Sequence, residues 1–127
     1  MSQLKGLAHI GIMVKDVERS KDFYKRLGFV LTDEVDVGAK LAFLNAGSCL
    51  IELIQPQNYG DARNPGQVDH IAITVNDIIK AVSDAKSNGI AIDEKNIAEI
   101  NILGGVKNVF FEGPDGERLE FFEYINR

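Results

Sequence analysis

Tryptophan is absent from this sequence, and cysteine occurs once and proline three times in 127 residues. One thiol, Cys49, cannot close an internal disulfide, so apolar packing must hold the fold together, a usage that fits a reducing cytoplasm. Alternation with Ile51 and Leu53 predicts a packing role for Cys49 itself. Long apolar runs are lacking as well. The longest covers only a few residues, far short of the ~20 that cross a bilayer. The opening residues 1–6 carry no hydrophobic stretch of the kind that directs secretion. A cytoplasmic protein without a membrane partner is expected. Excess positive charge is also missing: 14 Lys and Arg against 19 Asp and Glu give a net charge of −5 and a pI near 5.0. With no basic stripe to neutralise phosphates, nucleic acid is excluded as a partner. No stretch is both charge-rich and poor in apolar residues, so a disordered tail is not expected.

What the sequence does have is an internal repeat. Residues 6–31 align without a gap on residues 67–92, at an offset of 61. His9 falls on His70, Ile10 on Ile71, Ile12 on Ile73, Val14 on Val75, Asp16 on Asp77, Lys25 on Lys86 and Gly28 on Gly89. The identities occupy matching strand, cap and turn positions, which marks a duplicated folding unit.

Each copy opens with an alternating strand, Ile10, Ile12, Val14 and then Ile71, Ile73, Val75. Asp16 and Asp77 are placed to cap a following helix, and Gly28 and Gly89 to stop it. Val17, Phe23, Tyr24 and Leu27 form the expected apolar stripe of the first helix, and Ile78, Ile79, Val82 and Ala85 that of the second. Further strands are predicted at 29–35, 40–45 and 48–55, then at 90–93, 105–112 and 117–124, with 94–104 undefined. Residues 46–48 and 114–116 read as hairpin turns, and 56–66, with two of the three prolines, as a linker. The expectation is an α+β fold of two βαβββ modules, 6–56 and 67–124, within one domain spanning 1–127. About 60 residues alone bury too little core to stand independently.

Strand alternation then decides what the histidines face. If Ile10, Ile12 and Val14 pack under a helix, His9, Gly11 and Met13 point the other way, and so do His70, Ala72 and Thr74. Gly11 and Ala72 leave room beside each imidazole. Near the end of each copy a carboxylate interrupts an apolar strand: Glu52 in Leu50-Ile51-Glu52-Leu53-Ile54, and Glu120 in Arg118-Leu119-Glu120-Phe121-Phe122. A buried carboxylate is costly unless a cation or metal pairs with it. His9, Glu52, His70 and Glu120 therefore form a candidate N₂O₂ set for one divalent ion, Ni²⁺, Zn²⁺, Co²⁺, Mn²⁺ or Fe²⁺.

Leu7-Ala8-His9-Ile10-Gly11-Ile12 opening one module and Val68-Asp69-His70-Ile71-Ala72-Ile73 the other resemble the vicinal oxygen chelate superfamily, which includes glyoxalases, bleomycin-resistance proteins and dioxygenases. Phe23-Tyr24-Lys25-Arg26-Leu27-Gly28-Phe29 and Asp115-Gly116 leading to Leu119-Glu120 add to the likeness, which covers nearly the whole chain. It implies a cup of curved antiparallel sheet with helices on the convex face, a metal inside, and substrates that offer adjacent oxygens to it. The four ligands resemble the His/Glu/His/Glu scheme of glyoxalase I, which implies a lyase or isomerase of lactoylglutathione lyase type with Glu52 and Glu120 as proton-transfer residues. Segment 51–56 also resembles methylmalonyl-CoA epimerase, where Asp36 lies near that family's catalytic glutamate; a plain hairpin aspartate is the other reading. A ring-cleaving dioxygenase, a thiol transferase and a non-catalytic drug-binding protein stand as further alternatives. The implied substrate is a small carbonyl compound, a thiol adduct or an acyl-CoA, and the implied assembly a homodimer. Glutathione-dependent members carry an arginine where Met13 stands and an asparagine near Gln55, so glutathione itself fits poorly.

Overall fold

The computed structural model describes residues 3–58 and 64–126. They form two compact units, one from residues 9–69 and the other from residues up to 8 together with those from 70 onward. In chain order the first βαβββ run is β1 (Leu4–Met13), α1 (Val17–Leu27), β2 (Val30–Asp36), β3 (Lys40–Ala46) and β4 (Cys49–Gln55). The second is β5 (Val68–Val75), α2 (Ile78–Ser87), a 3₁₀ turn (Glu94–Asn96), β6 (Ala98–Ile100), β7 (Val106–Glu112) and β8 (Arg118–Tyr124). The fold is α+β, as expected. Part of the linker, residues 59–63, lies outside the described residues. No helix among the described residues is long and apolar enough to cross a membrane.

Strand order is β2-β3-β4-β1 in the first run and β5-β8-β7-β6 in the second. β1 runs parallel to β4, with Gly11 opposite Glu52, and β5 runs parallel to β8, with Ala72 opposite Glu120. Each sheet is therefore mixed, not the antiparallel sheet expected. The helix is the cause. It returns the chain, so β2 starts in the direction of β1, and two hairpins then restore that direction in the last strand.

Under α1, Val14, Val17, Ala42, Leu44, Ile51 and Leu53 make one core, with Ile12 and Tyr24 against it. Under α2, Val75, Ile78, Ala81, Val82, Ala85, Val109 and Phe121 make the other. The helical stripes differ from expectation: Phe23, Leu27 and Ile79 are exposed, while Lys21 and Ala81 are buried. At 100° per residue, positions 17, 21 and 24 share a face, and 23 and 27 turn away from it. Residues 90–93 form no strand. Asp93 instead caps the 3₁₀ turn, its Oδ1 accepting from the Lys95 N–H at 2.9 Å, and the edge strand forms later, at β6. Cys49 is exposed rather than packed, because β4 begins at the turn and helix cover starts only with Ile51.

Both helix starts are capped twice. Asp16 Oδ1 accepts from the N–H groups of Glu18 and Arg19, and Asp77 Oδ1 from those of Ile79 and Lys80. The first helical N–H is taken by a distant strand residue. Val17 donates to Gln55 Oε1 at 2.9 Å, and Ile78 to Glu123 Oε1 at 2.8 Å. Gln55 and Glu123 each stand three residues beyond the glutamate of the same strand. Four orphan donors at a helix start call for such partners, and Glu123 also brings negative charge to the positive end of α2.

Buried Lys21 reaches Glu18 and Glu34, at the open edge of β2. Hydrogen bonds that the Lys21 ammonium donates to both carboxylates raise it above its ordinary value, and Lys21 holds Glu34 below the usual carboxylate range. A lowered carboxylate stabilises the fold above its unfolded pKa of ~4.3, an effect lost as pH falls through the folded value. A raised ammonium stabilises below ~10.4, and that effect fades as pH climbs through its folded value. Lys21→Met should therefore lower the neutral plateau of a Tm-against-pH curve and flatten its acid limb between about pH 5 and 3. An unchanged acid limb would refute the pairing.

Candidate metal centre

Alternation about β1 and β5 works as the sequence predicts. His9 is 1% exposed and His70 4%, both on the sheet face opposite the helix, and Glu52 and Glu120 are buried beside them. In the first unit His9 Nε2 lies 3.3 Å from Glu52 Oε1. In the second, His70 Nε2 lies 3.2 Å from Glu120 Oε1. Each unit thus brings together one histidine and one glutamate of the four candidates.

These separations are informative. Two ligands held at about 2.1 Å from one ion, at angles of about 90–110°, stand about 3.0–3.4 Å apart. Both pairs have that spacing. Their chemistry fits as well: a neutral imidazole nitrogen and a carboxylate oxygen are ordinary ligands of first-row divalent ions. The residues present therefore fit a divalent metal, without singling one out.

Each imidazole is fixed by a phenylalanine that the sequence reading did not single out. The His9 ring meets Phe43 edge-on, centroids 5.7 Å apart, and the His70 ring meets Phe110 in the same way at 5.4 Å. Phe43 pairs directly with Glu52 across β3 and β4, and Phe110 with Glu120 across β7 and β8. The Arg118 guanidinium lies over the Phe110 ring, 4.0 Å from its centroid. Asn108, also buried, donates from Nδ2 to Glu120 Oε2 at 2.7 Å. The signal for all of these is hairpin arithmetic. Once Ala46 pairs with Cys49, residue 43 must face residue 52.

Three other positions can now be judged. Asp36 is exposed at the β2–β3 hairpin, where its Oδ1 accepts from the Gly38 N–H at 3.1 Å. That geometry is the plain hairpin role. Met13 is buried and apolar, and Gln55 Oε1 is occupied by the α1 cap. Met13 therefore offers no polar group for holding a glutathione peptide.

A duplicated βαβββ unit with a buried His–Glu pair in each copy defines an α+β protein with a candidate pair of metal ligands in each unit. Residues 6–121 match the Glyoxalase/Bleomycin resistance protein/Dioxygenase superfamily, and the chain belongs to it. It is 38% identical to the uncharacterized protein YwbC of Bacillus subtilis (strain 168), across 94% of this chain and 98% of that one. With the mitochondrial methylmalonyl-CoA epimerase of Homo sapiens it shares 32% identity, across 85% of this chain and 66% of that protein. The crystal structure of methylmalonyl-CoA epimerase from Mycobacterium tuberculosis has the same fold, with a TM-score of 0.82, 24% identity, and coverage of 97% of this chain and 90% of that one.

Proposed function

We propose that His9, Glu52, His70 and Glu120 together hold one divalent metal ion, and that the protein is an enzyme moving a proton at a carbon beside a carbonyl group. The observation that carries this reading is the repeated buried His–Glu pair, each with the nitrogen–oxygen spacing of two ligands on one ion. A bound ion would supply positive charge to polarise a carbonyl group and so acidify the adjacent C–H.

The chain's own residues supply the rest. His9 and His70 would each offer an imidazole nitrogen to the ion, with Phe43 and Phe110 edge-on against their rings. Glu52 and Glu120 are the groups within reach that take up and return a proton, and their burial keeps bulk water from competing. Likeness to the human epimerase supports a branched acyl-CoA thioester as substrate, with the proton removed and returned at the carbon between two carbonyl groups. A second reading, a glyoxalase I-type lyase acting on a thiol hemithioacetal, is favoured by the presence of a glutamate in both pairs. Both readings use the same proton chemistry, and the second does not require glutathione.

Protein loaded in turn with Ni²⁺, Zn²⁺, Co²⁺, Mn²⁺ and Fe²⁺ should exchange a substrate C–H for deuterium in D₂O. Proton NMR would follow methylmalonyl-CoA and the hemithioacetals of methylglyoxal. The substrate that exchanges decides between the two readings. Absence of exchange with either, in protein that also binds none of the five ions, would overturn both.

A further inference from the structure

The face of α1 turned away from the core borders a groove that the proposed centre leaves unused. Its volume is about 650 Å³, within the ~300–1,000 Å³ of small-molecule sites, and it lies wholly in the first unit, residues 9–69. Lys15, Arg19, Phe23, Arg26, Pro65 and Gly66 are among its lining residues. Three cations and no carboxylate stand there, in a chain whose net charge is −5. The acids of α1, Glu18 and Asp22, are held by Lys21 and Arg26. Lys15 and Arg19 have no carboxylate partner among the described residues.

One wall is fixed to the end of β1. The Gly66 N–H donates to the Met13 carbonyl at 2.6 Å, and the Met13 N–H to that of Gln67 at 2.9 Å. Gly66 has a φ of 87°, the left-handed region that glycine enters without a Cβ penalty, so the chain turns tightly against the strand. On the helix, positions 19, 23 and 26 are spaced by four and three residues and share one side. Phe23, exposed and outside the core, thus stands between two arginines, with the Arg26 guanidinium 5.9 Å over its ring.

We infer that this groove binds the adenine nucleotide end of an acyl-CoA, with Lys15 and Arg19 on the phosphates and Phe23 against the base. The inference rests on the acyl-CoA reading above and deepens it by naming where the nucleotide is held. Cations answer the charge of phosphate, and a flat exposed ring beside a guanidinium gives a base a surface to stack on. A bare phosphate would use only the cations. Met13 also lines the groove and shares a strand face with His9, roughly 13 Å away along β1 at ~3.3 Å per residue. The extended pantetheine arm of an acyl-CoA covers that separation, so the thioester reaches the buried His9–Glu52 pair while the nucleotide stays in the groove.

Calorimetric titration with coenzyme A, ADP and inorganic pyrophosphate tests the assignment. Coenzyme A should bind more tightly than ADP, which lacks the further phosphate and the arm, and ADP more tightly than pyrophosphate, which lacks the base. Arg19→Gln should weaken coenzyme A binding about 10-fold, the loss of one charged hydrogen bond. Phe23→Ala should weaken it about 5-fold or more through lost stacking and leave pyrophosphate binding unchanged. Both side chains are exposed, so circular dichroism should report the native fold in each variant. The control, Lys80→Gln with Lys86→Gln, removes two cations from α2 and should leave the affinity for coenzyme A unchanged. No loss in the groove variants, or an equal loss in the control, would overturn the inference. ADP binding as tightly as coenzyme A would assign the groove to free nucleotides and overturn it too. A truncated methylmalonyl thioester without the nucleotide tests the chemistry separately. Deuterium exchange into that thioester, by protein that binds no coenzyme A, would overturn the groove's assignment alone. Coenzyme A binding that Arg19→Gln weakens, without exchange into either thioester, would overturn the proposed chemistry and leave the groove's assignment standing.

Discussion

Glu120→Gln and Glu52→Gln are expected to lower solvent-deuterium incorporation into substrate by about 10²–10⁴-fold, the usual contribution of a positioned acid–base group. Glutamine at 120 keeps the shape but weakens a ligand anchored by Asn108, so the ion's affinity falls along with exchange. Glutamine at 52, beside His9, should weaken the ion's hold as well. Metal content measured on the same samples separates the cases. Wild-type exchange rates in Glu120→Gln, with the ion still bound, would mean that this carboxylate takes no part.

A large effect on stability is expected at Phe43. Its side chain is wholly buried and meets the edge of His9, so Phe43→Ala leaves a void that the mixed sheet cannot close. Removing such a ring costs about 3–5 kcal/mol, which lowers Tm by roughly 10–20 °C in a domain of this size. Phe23→Ala is the control. That ring is 51% exposed on α1, and its removal should change stability by under about 1 kcal/mol. Equal melting points for the two variants would show that the ring behind His9 does not support the fold.

Much of the architecture was legible because the chain repeats itself. His9 and His70, Asp16 and Asp77, and the glycines after each helix announce the same unit twice. The two caps follow from local hydrogen bonding, which spacing reports well. Inward and outward strand faces were readable for the same reason, since alternation has a period of two.

Reading failed where a distant partner decided the outcome. Ile90, Ala91 and Ile92 have the composition of a strand, but Asp93 uses the next backbone donors for a turn, and pairing with β7 begins at Ala98. Phe23 and Leu27 look like core residues by composition, yet the face of α1 that meets the sheet belongs to Val17 and Tyr24. Parallel pairing of β1 with β4 required counting chain reversals rather than scanning a window. At the candidate centre the four candidate ligands were visible because a polar, titratable side chain inside an apolar strand is conspicuous. Phe43, Phe110 and Asn108 were not, since their importance depends on cross-strand register.

The doubled helix caps make the last strand of each unit a lever with both arms loaded. At one point it bears the glutamate of the candidate centre; three residues on, it grips the first turn of the helix on the opposite side of the sheet. A helix that frayed at Val17 or Ile78 would release the strand's far arm and let the carboxylate drift. Each glutamate's strand is thus secured from behind, by an amide proton on the far face of the sheet.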